Sequence, residues 1–255
     1  MSRTSPILDP GHVAIIRTFA QSRVLLAFDY DGTLSPIAPT PERARLPAST
    51  KRLLIGVAKR YPMVVISGRA LADISARVAD IGVQHIFGNH GLEWSGAPSR
   101  PRTQVRRWVD QLDAQLGHHA GIVIEDKTHS LSVHYRSAPD HKRALRLILP
   151  VVRTLPGVRI ICGAAAVNLL PDHAANKGIA LKRALAATNC EKAIYVGDDE
   201  TDEDAFAALT PERLLAVRIG SSGTSQARYH LDSQESIDRL LRALMDARPY
   251  GGSCF

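Results

Sequence analysis

The chain has 255 residues, 45% of them hydrophobic, and a net charge of +7, a composition that supplies one large core or two smaller ones. No apolar stretch approaches the roughly 20 residues that a membrane span needs, and the first nine residues lack the apolar core of a signal peptide, so we expect a cytoplasmic protein with no membrane partner. The arginines are scattered and rarely alternate with aromatic residues, which favours a small anionic ligand over nucleic acid.

The first third of the chain alternates predicted helices and strands. In chain order these are the helix Asp9–Ala20, the strand "VLLAF", the helix Ala48–Arg60, the strand "YPMVVIS", the helix Ala70–Val78 and a third strand in "VQHIFGNHG". Short apolar strands without a polar alternation are typical of parallel sheets. The alternation therefore predicts a parallel sheet with helices on both faces.

From "WSGAPSRPR" onward the order of elements changes. The next predicted elements are the helix Thr103–His118, the strands "GIVIEDK" and "HSLSVHYR", the helix Asp140–Leu155 and the strands "VRIICG" and "AVNLLP". Helix–strand–strand, repeated twice, predicts a small antiparallel sheet with two helices on one face. We interpret residues 97–171 as a separate α+β domain inserted into the first, whose own residues are 1–96 and 172–255.

After the insertion the first pattern resumes. It continues with the helix Asn176–Ala187, the strand "KAIYVGDD", the helix Asp202–Leu209, the strand "LLAVRIG" and the helix Gln234–Ala247. The predicted fold class is α/β, a doubly wound Rossmann-like parallel sheet with an inserted α+β cap domain.

Polar side chains follow three of the predicted core strands. Asp29 follows "VLLAF", Ser67 follows "VVI" and Asp198 follows "AIYVG", while Lys177 begins a helix at the same edge. Ligands of open α/β sheets bind at the carboxyl ends of the strands, so these groups should share one crevice. Several carboxylates with a hydroxyl and an ammonium group suit a divalent cation together with a phosphate.

Each of these features also has an ordinary structural explanation. Asp-x-Asp-Gly can form a turn with capping aspartates, and "GDDETDEDAF" can be an acid-rich first helical turn. Ser67 can be an N-cap and Lys177 a solvated surface residue. A calcium-binding loop is excluded, because the twelfth residue counted from Asp29 is Thr40 and not a glutamate. A ligand site is favoured because all four features fall on one edge.

Two aspartates one residue apart also fit one reaction. A carboxylate that attacks phosphorus gives an aspartyl phosphate. The leaving alkoxide then needs a proton and the later water must lose one, which a second carboxylate can perform. Magnesium prefers one or two carboxylates together with substrate phosphate.

The motifs "DYDGT", "ISGR", "NKG" and "GDDETDEDAF", in that order, resemble those of phosphatases of the haloacid dehalogenase superfamily. More closely, "FDYDGTLSPI", "GNHGLEW", "EDKTHSLSVHYR" and "GDDETDEDAF" are similar to trehalose-6-phosphate phosphatases. The resemblance implies a Mg²⁺-dependent hydrolase of a small phosphosugar, with Asp29 as nucleophile and Asp31 as general acid/base. It assigns Lys177 to catalysis. Lys177, Thr33 and Ser67 would together hold the transferring phosphoryl group.

The resemblance also implies two sets of binding residues. The metal set is Asp29, Asp31 (through its backbone carbonyl), Asp198 and, in support, Asp199 and Asp202. The substrate set is Thr33, Ser67, Gly68, Arg69, Asn89, His90, Glu93, Glu125, Lys127, His134, Arg136 and Asn168. Family members often carry a glutamate and a basic residue where this chain has Asn168 and Leu170, a departure that concerns the sugar and not the core chemistry.

Three alternatives remain open from the sequence. The substrate can be another sugar phosphate, such as sucrose phosphate or glucosylglycerol phosphate. A phospho-accepting receiver domain combines similar groups, but it is about half this length and lacks both the aspartate pair and the insertion. The third is a non-catalytic binding protein on this fold. We expect a monomer that binds neither nucleic acid nor membrane.

Overall fold

The computed structural model describes residues 4–95, 103–127, 130–163, 165–171 and 176–249. The chain divides into two compact units, Met1–Gly96 with Ala175–Phe255, and Ala97–Ala174. We call them the core unit and the inserted unit. Residues 96, 97 and 172 lie outside the described residues, so the expected division at 97 and 171 stays a prediction. Among the described helices, none is both long and apolar enough to cross a membrane.

The core unit is built on one eight-stranded sheet, in the order β1-β12-β11-β10-β2-β3-β4-β5. Its strands are β1 (Ser5–Pro6), β2 (Val24–Phe28), β3 (Met63–Ile66), β4 (His85–Gly88), β5 (Glu93–Trp94), β10 (Lys192–Gly197), β11 (Leu214–Ile219) and β12 (Tyr229–Leu231). Every pairing is parallel except that of β4 with β5. The predicted doubly wound α/β class is confirmed.

Helices cover both faces of this sheet. They are α1 (Val13–Ala20), α2 (Ala48–Ala58), α3 (Leu71–Val78), α6 (Lys177–Thr188), α7 (Glu203–Phe206) and α8 (Ile237–Ala247). Strand β2 shows why both faces are needed, because Val24, Leu26 and Phe28 pack into one apolar cluster and Leu25 and Ala27 into the other. Side chains alternate along a strand, so a strand that is apolar throughout must be buried on both sides.

The inserted unit has a four-stranded antiparallel sheet in the order β6-β7-β9-β8. Its elements are α4 (Thr103–Leu116), β6 (Val123–Asp126), β7 (Leu131–His134), α5 (His141–Arg153), β8 (Val158–Cys162) and β9 (Ala166–Pro171). One sheet face, with Leu131, Val133 and Val167, packs against Trp108 of α4 and Ile148 of α5. This is the predicted helix–strand–strand repeat with its two helices on one face.

The main differences from the predicted elements concern short segments. The helix expected over Asp202–Leu209 is a 3₁₀ turn at Glu200–Asp202 followed by α7, which ends at Phe206. Strands β1, β5 and β12 were not predicted, since segments of two or three residues carry no periodic signal. Backbone pairing with a longer neighbour forms them.

Candidate active site

Three carboxylates meet at the carboxyl ends of the central strands. Asp29 directly follows β2, and Asp198 follows β10, which pairs with β2 in parallel register. Oxygen atoms of Asp29, Asp198 and Asp202 lie within 4.8 Å of one another. On the other side of β2, Ser67 follows β3. The sheet topology thus brings together the groups expected at this edge.

Lys177 lies within this carboxylate cluster. Its Nζ is 2.7 Å from Oδ1 of Asp202, 3.1 Å from Oδ1 of Asp29 and 3.8 Å from Oδ1 of Asp199. The side chain is only 2% exposed, so the surface explanation is excluded. Burial lowers the pKa of Lys177, but the three carboxylates outweigh burial and hold that pKa well above its usual value. Lys177 is therefore a fixed cation.

The carboxylates carry more negative charge than Lys177 offsets. Burial, together with the charges of Asp202 and Asp199, raises the pKa of Asp198 to about 7, although Lys177 and the Thr33 hydroxyl lower it in part. Burial likewise holds the pKa of Asp29 well above its usual range, although Lys177 opposes it. Carboxylates whose charged forms are disfavoured in this way fit a hard divalent cation, which favours their ionised forms.

Asp202 is hydrogen-bonded on both oxygens from inside the core unit. Its Oδ1 accepts from Nζ of Lys177 and from the Tyr195 hydroxyl, each at 2.7 Å. Its Oδ2 accepts from the backbone N–H groups of Asp198 at 2.9 Å and Asp199 at 3.0 Å. Asp199 caps the following turn by accepting from the Thr201 N–H. Asp202 therefore fixes the backbone that carries Asp198.

The turn after Asp29 places Thr33 beside Asp198. The N–H groups of Leu34 and Ser35 both donate to the Tyr30 carbonyl, and Gly32 has φ +81°, which only glycine adopts at low cost. The Thr33 hydroxyl donates to Oδ1 of Asp198 at 3.3 Å. An ordinary turn is thus present, and it also presents a hydroxyl to the carboxylate cluster.

Ser67 does not cap a helix. Helix α3 begins after Ala70, which makes no side-chain cap, while Oγ of Ser67 accepts from the Arg69 N–H at 3.1 Å. At Gly68 a Cβ would lie 2.6 Å from the His90 ring, so this position needs glycine. The loop of His90 is held close because its N–H donates to the Ser67 carbonyl at 2.9 Å.

The side chain of Arg69 is engaged within the core unit. Its Nε and Nη2 donate to the two oxygens of Asp31, each at 2.6 Å, and its Nη1 donates to Asp73 at 2.6 Å. Nη2 also donates to the Pro41 carbonyl at 2.8 Å. Bidentate arginine–carboxylate pairs of this kind fix the carboxylate in position and plane.

Asn89 and His90 are buried in the turn after β4, and half-buried Glu93 begins β5 beside them. Nδ2 of Asn89 donates to Oε2 of Glu93 at 2.8 Å, and the same oxygen accepts from the Leu71 N–H at 2.7 Å. Asn89 and His90 both have positive φ, 48° and 57°. The predicted substrate residues of this loop are therefore held in one rigid arrangement within the core unit.

The other predicted sugar-binding residues belong to the inserted unit. Glu125 pairs with Ser132, and Ser132 pairs with Asn168, so these three side chains share one face of the sheet. Lys127 and His134 follow at intervals of two residues on that face, which is opposite to the one covered by α4 and α5.

Short contacts link these side chains. Nε2 of His134 is 2.7 Å from Oε2 of Glu125, Nζ of Lys127 is 3.8 Å from the same oxygen, and the Ser132 hydroxyl donates to Asn168 at 2.6 Å. Arg136 is exposed just beyond β7.

Several residues in and around the site were not predicted. Tyr195 donates to Asp202, and Gln234 Nε2 donates to the Thr33 and Leu34 carbonyls. Asp73 and Arg77 continue the interactions of Arg69 along α3. The sequence held one signal for the last pair, the spacing of four residues between Asp73 and Arg77 on a predicted helix.

Comparison with known proteins identifies the family. The trehalose-phosphatase family model matches residues 27–236. The trehalose-phosphate phosphatase of Mycobacterium tuberculosis is 34% identical over 245 residues, covering 86% of this chain and 62% of that protein. The chain thus spans 62% of the length of that curated relative.

Solved structures agree on the fold. The C-terminal domain of Candida albicans trehalose-6-phosphate phosphatase has a TM-score of 0.77 at 23% identity, over 97% of this chain and 99% of that one. Aspergillus fumigatus trehalose-6-phosphate phosphatase has a TM-score of 0.65 at 25% identity, over 95% and 99%. The resemblance inferred from the motifs is confirmed, and the chain belongs to the trehalose-phosphatase family.

Proposed function

We propose that this protein hydrolyses trehalose 6-phosphate to trehalose and phosphate through an aspartyl phosphate on Asp29. The observation that carries the proposal is the position of Asp29, which lies between Lys177 and further carboxylates at the end of the central strand β2. The names of the relatives and of the matching family support the substrate. Family membership alone does not give the chemistry, which we argue from the side chains.

The carboxylates at this edge suit Mg²⁺. Asp29, Asp198 and the backbone carbonyl of Asp31 would hold the ion, with Asp199 and Asp202 in support. When bound, magnesium offsets the negative charge of the carboxylates and of the phosphoryl oxygens between them. Without a cation, the cluster of Asp29, Asp198 and Asp202 would repel a phosphate dianion.

The reaction then takes place in two steps. In the first, a carboxylate oxygen of Asp29 attacks phosphorus, and the bond from phosphorus to the sugar oxygen breaks with its electron pair on oxygen. Asp31 gives up one of its two hydrogen bonds from Arg69 to carry a proton, and it donates that proton to the sugar oxygen. In the second, water attacks the phosphorus of the aspartyl phosphate while Asp31 accepts the proton of that water. Phosphate leaves and the Asp29 carboxylate is regenerated.

The chain itself supplies donors for the phosphoryl group. Lys177 contributes a buried ammonium group 3.1 Å from Asp29, and the hydroxyls of Thr33 and Ser67 lie at the same strand ends. Donors fixed in place before the reaction stabilise developing charge without reorganising. Gly68 leaves room beside Ser67, where a side chain would contact His90.

The inserted unit is proposed to recognise the sugar. Its polar sheet face carries Glu125, Lys127, His134 and Asn168, with Arg136 just beyond β7, and charged groups make the stronger hydrogen bonds to hydroxyls. Asn89, His90 and Glu93 would contribute from the core unit. Asn168 departs from the pattern that the motif resemblance implies for this strand, so another sugar phosphate is the second candidate.

Phosphate release across a set of phosphosugars tests these proposals. Trehalose 6-phosphate, sucrose 6-phosphate and glucosylglycerol phosphate are compared with magnesium and with excess chelator, and Asp29→Asn gives the background. We expect the highest kcat/KM for trehalose 6-phosphate and no activity in chelator. A higher kcat/KM on another phosphosugar would overturn the proposed substrate. Full activity in chelator would overturn the proposed metal dependence. A stable phosphorylated chain without turnover would favour the receiver-like alternative.

A further inference from the structure

Asp31 is held by a chain of charged residues that runs along α3. Arg69 binds both oxygens of Asp31, and its other contacts are Asp73 and the Pro41 carbonyl. These four hydrogen bonds leave little of the guanidinium for a ligand, and the Arg69 side chain is only 8% exposed. The motif placed Arg69 among the substrate-binding residues, whereas in this geometry the partner of Arg69 is Asp31.

Asp73, in the first turn of α3, holds Arg69, which lies just before that helix. Its Oδ2 accepts from Nη1 of Arg69 at 2.6 Å, while its Oδ1 accepts from Nε of Arg77 at 2.8 Å. Asp73 and Arg77 are four positions apart on α3, the spacing at which helical side chains meet, and Arg69 lies four positions before Asp73, just ahead of the helix. Burial raises the pKa of Asp73, but hydrogen bonds and charges from Arg69 and Arg77 outweigh it and lower that pKa. Asp73 is thus a carboxylate shared by two arginines.

The far end of this chain of residues is fixed to the backbone. Nη1 of Arg77 donates to the Ala44 carbonyl at 2.5 Å, and both guanidinium groups lie over the ring of Tyr30, at 5.5 Å for Arg69 and 6.0 Å for Arg77. Tyr30 is itself buried between the two aspartates of the "DYD" motif. Arg69 and Arg77 are 8% and 18% exposed, while the side chains of Asp31 and Asp73 are each 41% exposed. The two arginines therefore anchor this chain of residues, and its carboxylates stay partly open to solvent.

We infer that Asp73 is a positioning residue for the reaction, which acts through Arg69 to hold the Asp31 carboxylate in place for proton transfer. This inference rests on the proposed function, because it needs Asp31 as the group that donates a proton to the sugar oxygen and later accepts one from water. Asp73 itself touches neither the substrate nor the reacting atoms. Its contribution is the orientation of Arg69.

Displacement of the Asp31 carboxylate should affect the two steps differently, and the difference should depend on the leaving group of the substrate. A sugar alkoxide needs the proton from Asp31 to leave, whereas p-nitrophenolate leaves without one. Attack of water on the aspartyl phosphate needs the base with either substrate. A displaced Asp31 should therefore slow both steps with trehalose 6-phosphate, but only the second with p-nitrophenyl phosphate.

The test compares Asp73→Asn with Asp80→Asn in the magnesium-loaded protein. Asp80 forms an ion pair with Lys51 at 3.0 Å, but the Asp80 side chain is 78% exposed, so its loss should change little. For Asp73→Asn we expect kcat on trehalose 6-phosphate to fall about tenfold with KM nearly unchanged. That loss is smaller than the 10²–10⁴-fold attributable to general acid/base catalysis as a whole.

The p-nitrophenolate time course separates positioning from damage to the fold. Asp73→Asn should give a rapid burst of about one p-nitrophenolate per chain, then a slow steady rate, and Asp73→Glu should restore part of that rate. A burst and steady rate that fall in proportion would show loss of folded protein and overturn the inference. So would Asp73→Asn kinetics equal to those of Asp80→Asn. Failure of the wild-type protein to hydrolyse any phosphosugar would instead overturn the proposed function.

Discussion

Gly32→Ala should damage the proposed metal site through its contact with Asp198. Gly32 has φ +81°, and a Cβ at this position would lie 2.5 Å from the carboxyl carbon of Asp198 and 2.8 Å from Oδ1. Real Cβ contacts essentially never fall below 3.0 Å, so the carboxylate must move by at least about half an ångström. The substitution thus adds two effects, backbone strain and a displaced carboxylate.

A second glycine separates the two effects. Gly220 has φ +76°, but nothing lies within 4 Å of the position that a Cβ would take there, so Gly220→Ala carries the strain alone. A left-handed φ costs an L-residue about 1–2 kcal/mol, and the less flexible unfolded chain offsets about 0.4–1 kcal/mol of it. We expect Gly220→Ala to lower the melting temperature by about 2–4 °C, the shift for about 1 kcal/mol in a chain of this size.

Gly32→Ala should exceed this control in both stability and activity. The displaced Asp198 carboxylate should weaken magnesium binding by about 10–100-fold, the range found when groups that orient a metal ligand are changed. Thermal melting with and without magnesium and a magnesium titration of phosphate release measure the two effects. Equal melting temperatures of the two variants, together with equal magnesium dependence of phosphate release, would show that a Cβ at Gly32 does not displace the Asp198 carboxylate.

Three further changes test separate groups. Asp29→Asn should abolish phosphate release and rapid-quench labelling of the chain, and label on another residue of the wild-type protein would contradict the assigned nucleophile. Lys177→Met should lower stability in chelator by about 3–5 kcal/mol, since it leaves buried carboxylates without their cation; an unchanged melting temperature would contradict this. Glu125→Ala and Lys127→Ala should each cut kcat/KM on trehalose 6-phosphate by at least about tenfold. Their activity on p-nitrophenyl phosphate should change little, and an equal loss on both substrates would contradict a role in sugar recognition.

The central strands were predictable because their signal is local. Strand β2 is five apolar residues followed by an aspartate, and β10 ends in the same way at Asp198, so the sequence alone indicated which groups share an edge. The short strands β1 and β12 carry no such signal. They exist because their backbones pair with each other and β12 pairs with β11, and pairing partners distant in the chain cannot be identified from a two-residue segment.

Burial was the property that the sequence could not give. Lys177 at the start of a helix has an ordinary surface explanation, and only the arrangement of Asp29, Asp199 and Asp202 around it makes that explanation wrong. The role of Asp73 could not be predicted from the sequence for the same reason. A helical aspartate between two arginines is common on solvated helices, and its link to Asp31 depends on the turn that brings "DYD" beside α3.

Asp202 shows how far a motif can identify a residue without giving its role. One of its oxygens lies within 4.8 Å of oxygens of Asp29 and Asp198, which by distance makes it a candidate ligand. Two carboxylate oxygens offer about four lone-pair sites, and four donors already occupy them: Lys177, Tyr195 and the N–H groups of Asp198 and Asp199. Asp202 therefore supports the site by holding the ammonium group and the backbone of Asp198, while we propose that the carboxylate of Asp198 is the one offered to the ion. A ligand and a support both require aspartate at this position, so the sequence cannot distinguish them, whereas the hydrogen bonds of the folded chain do.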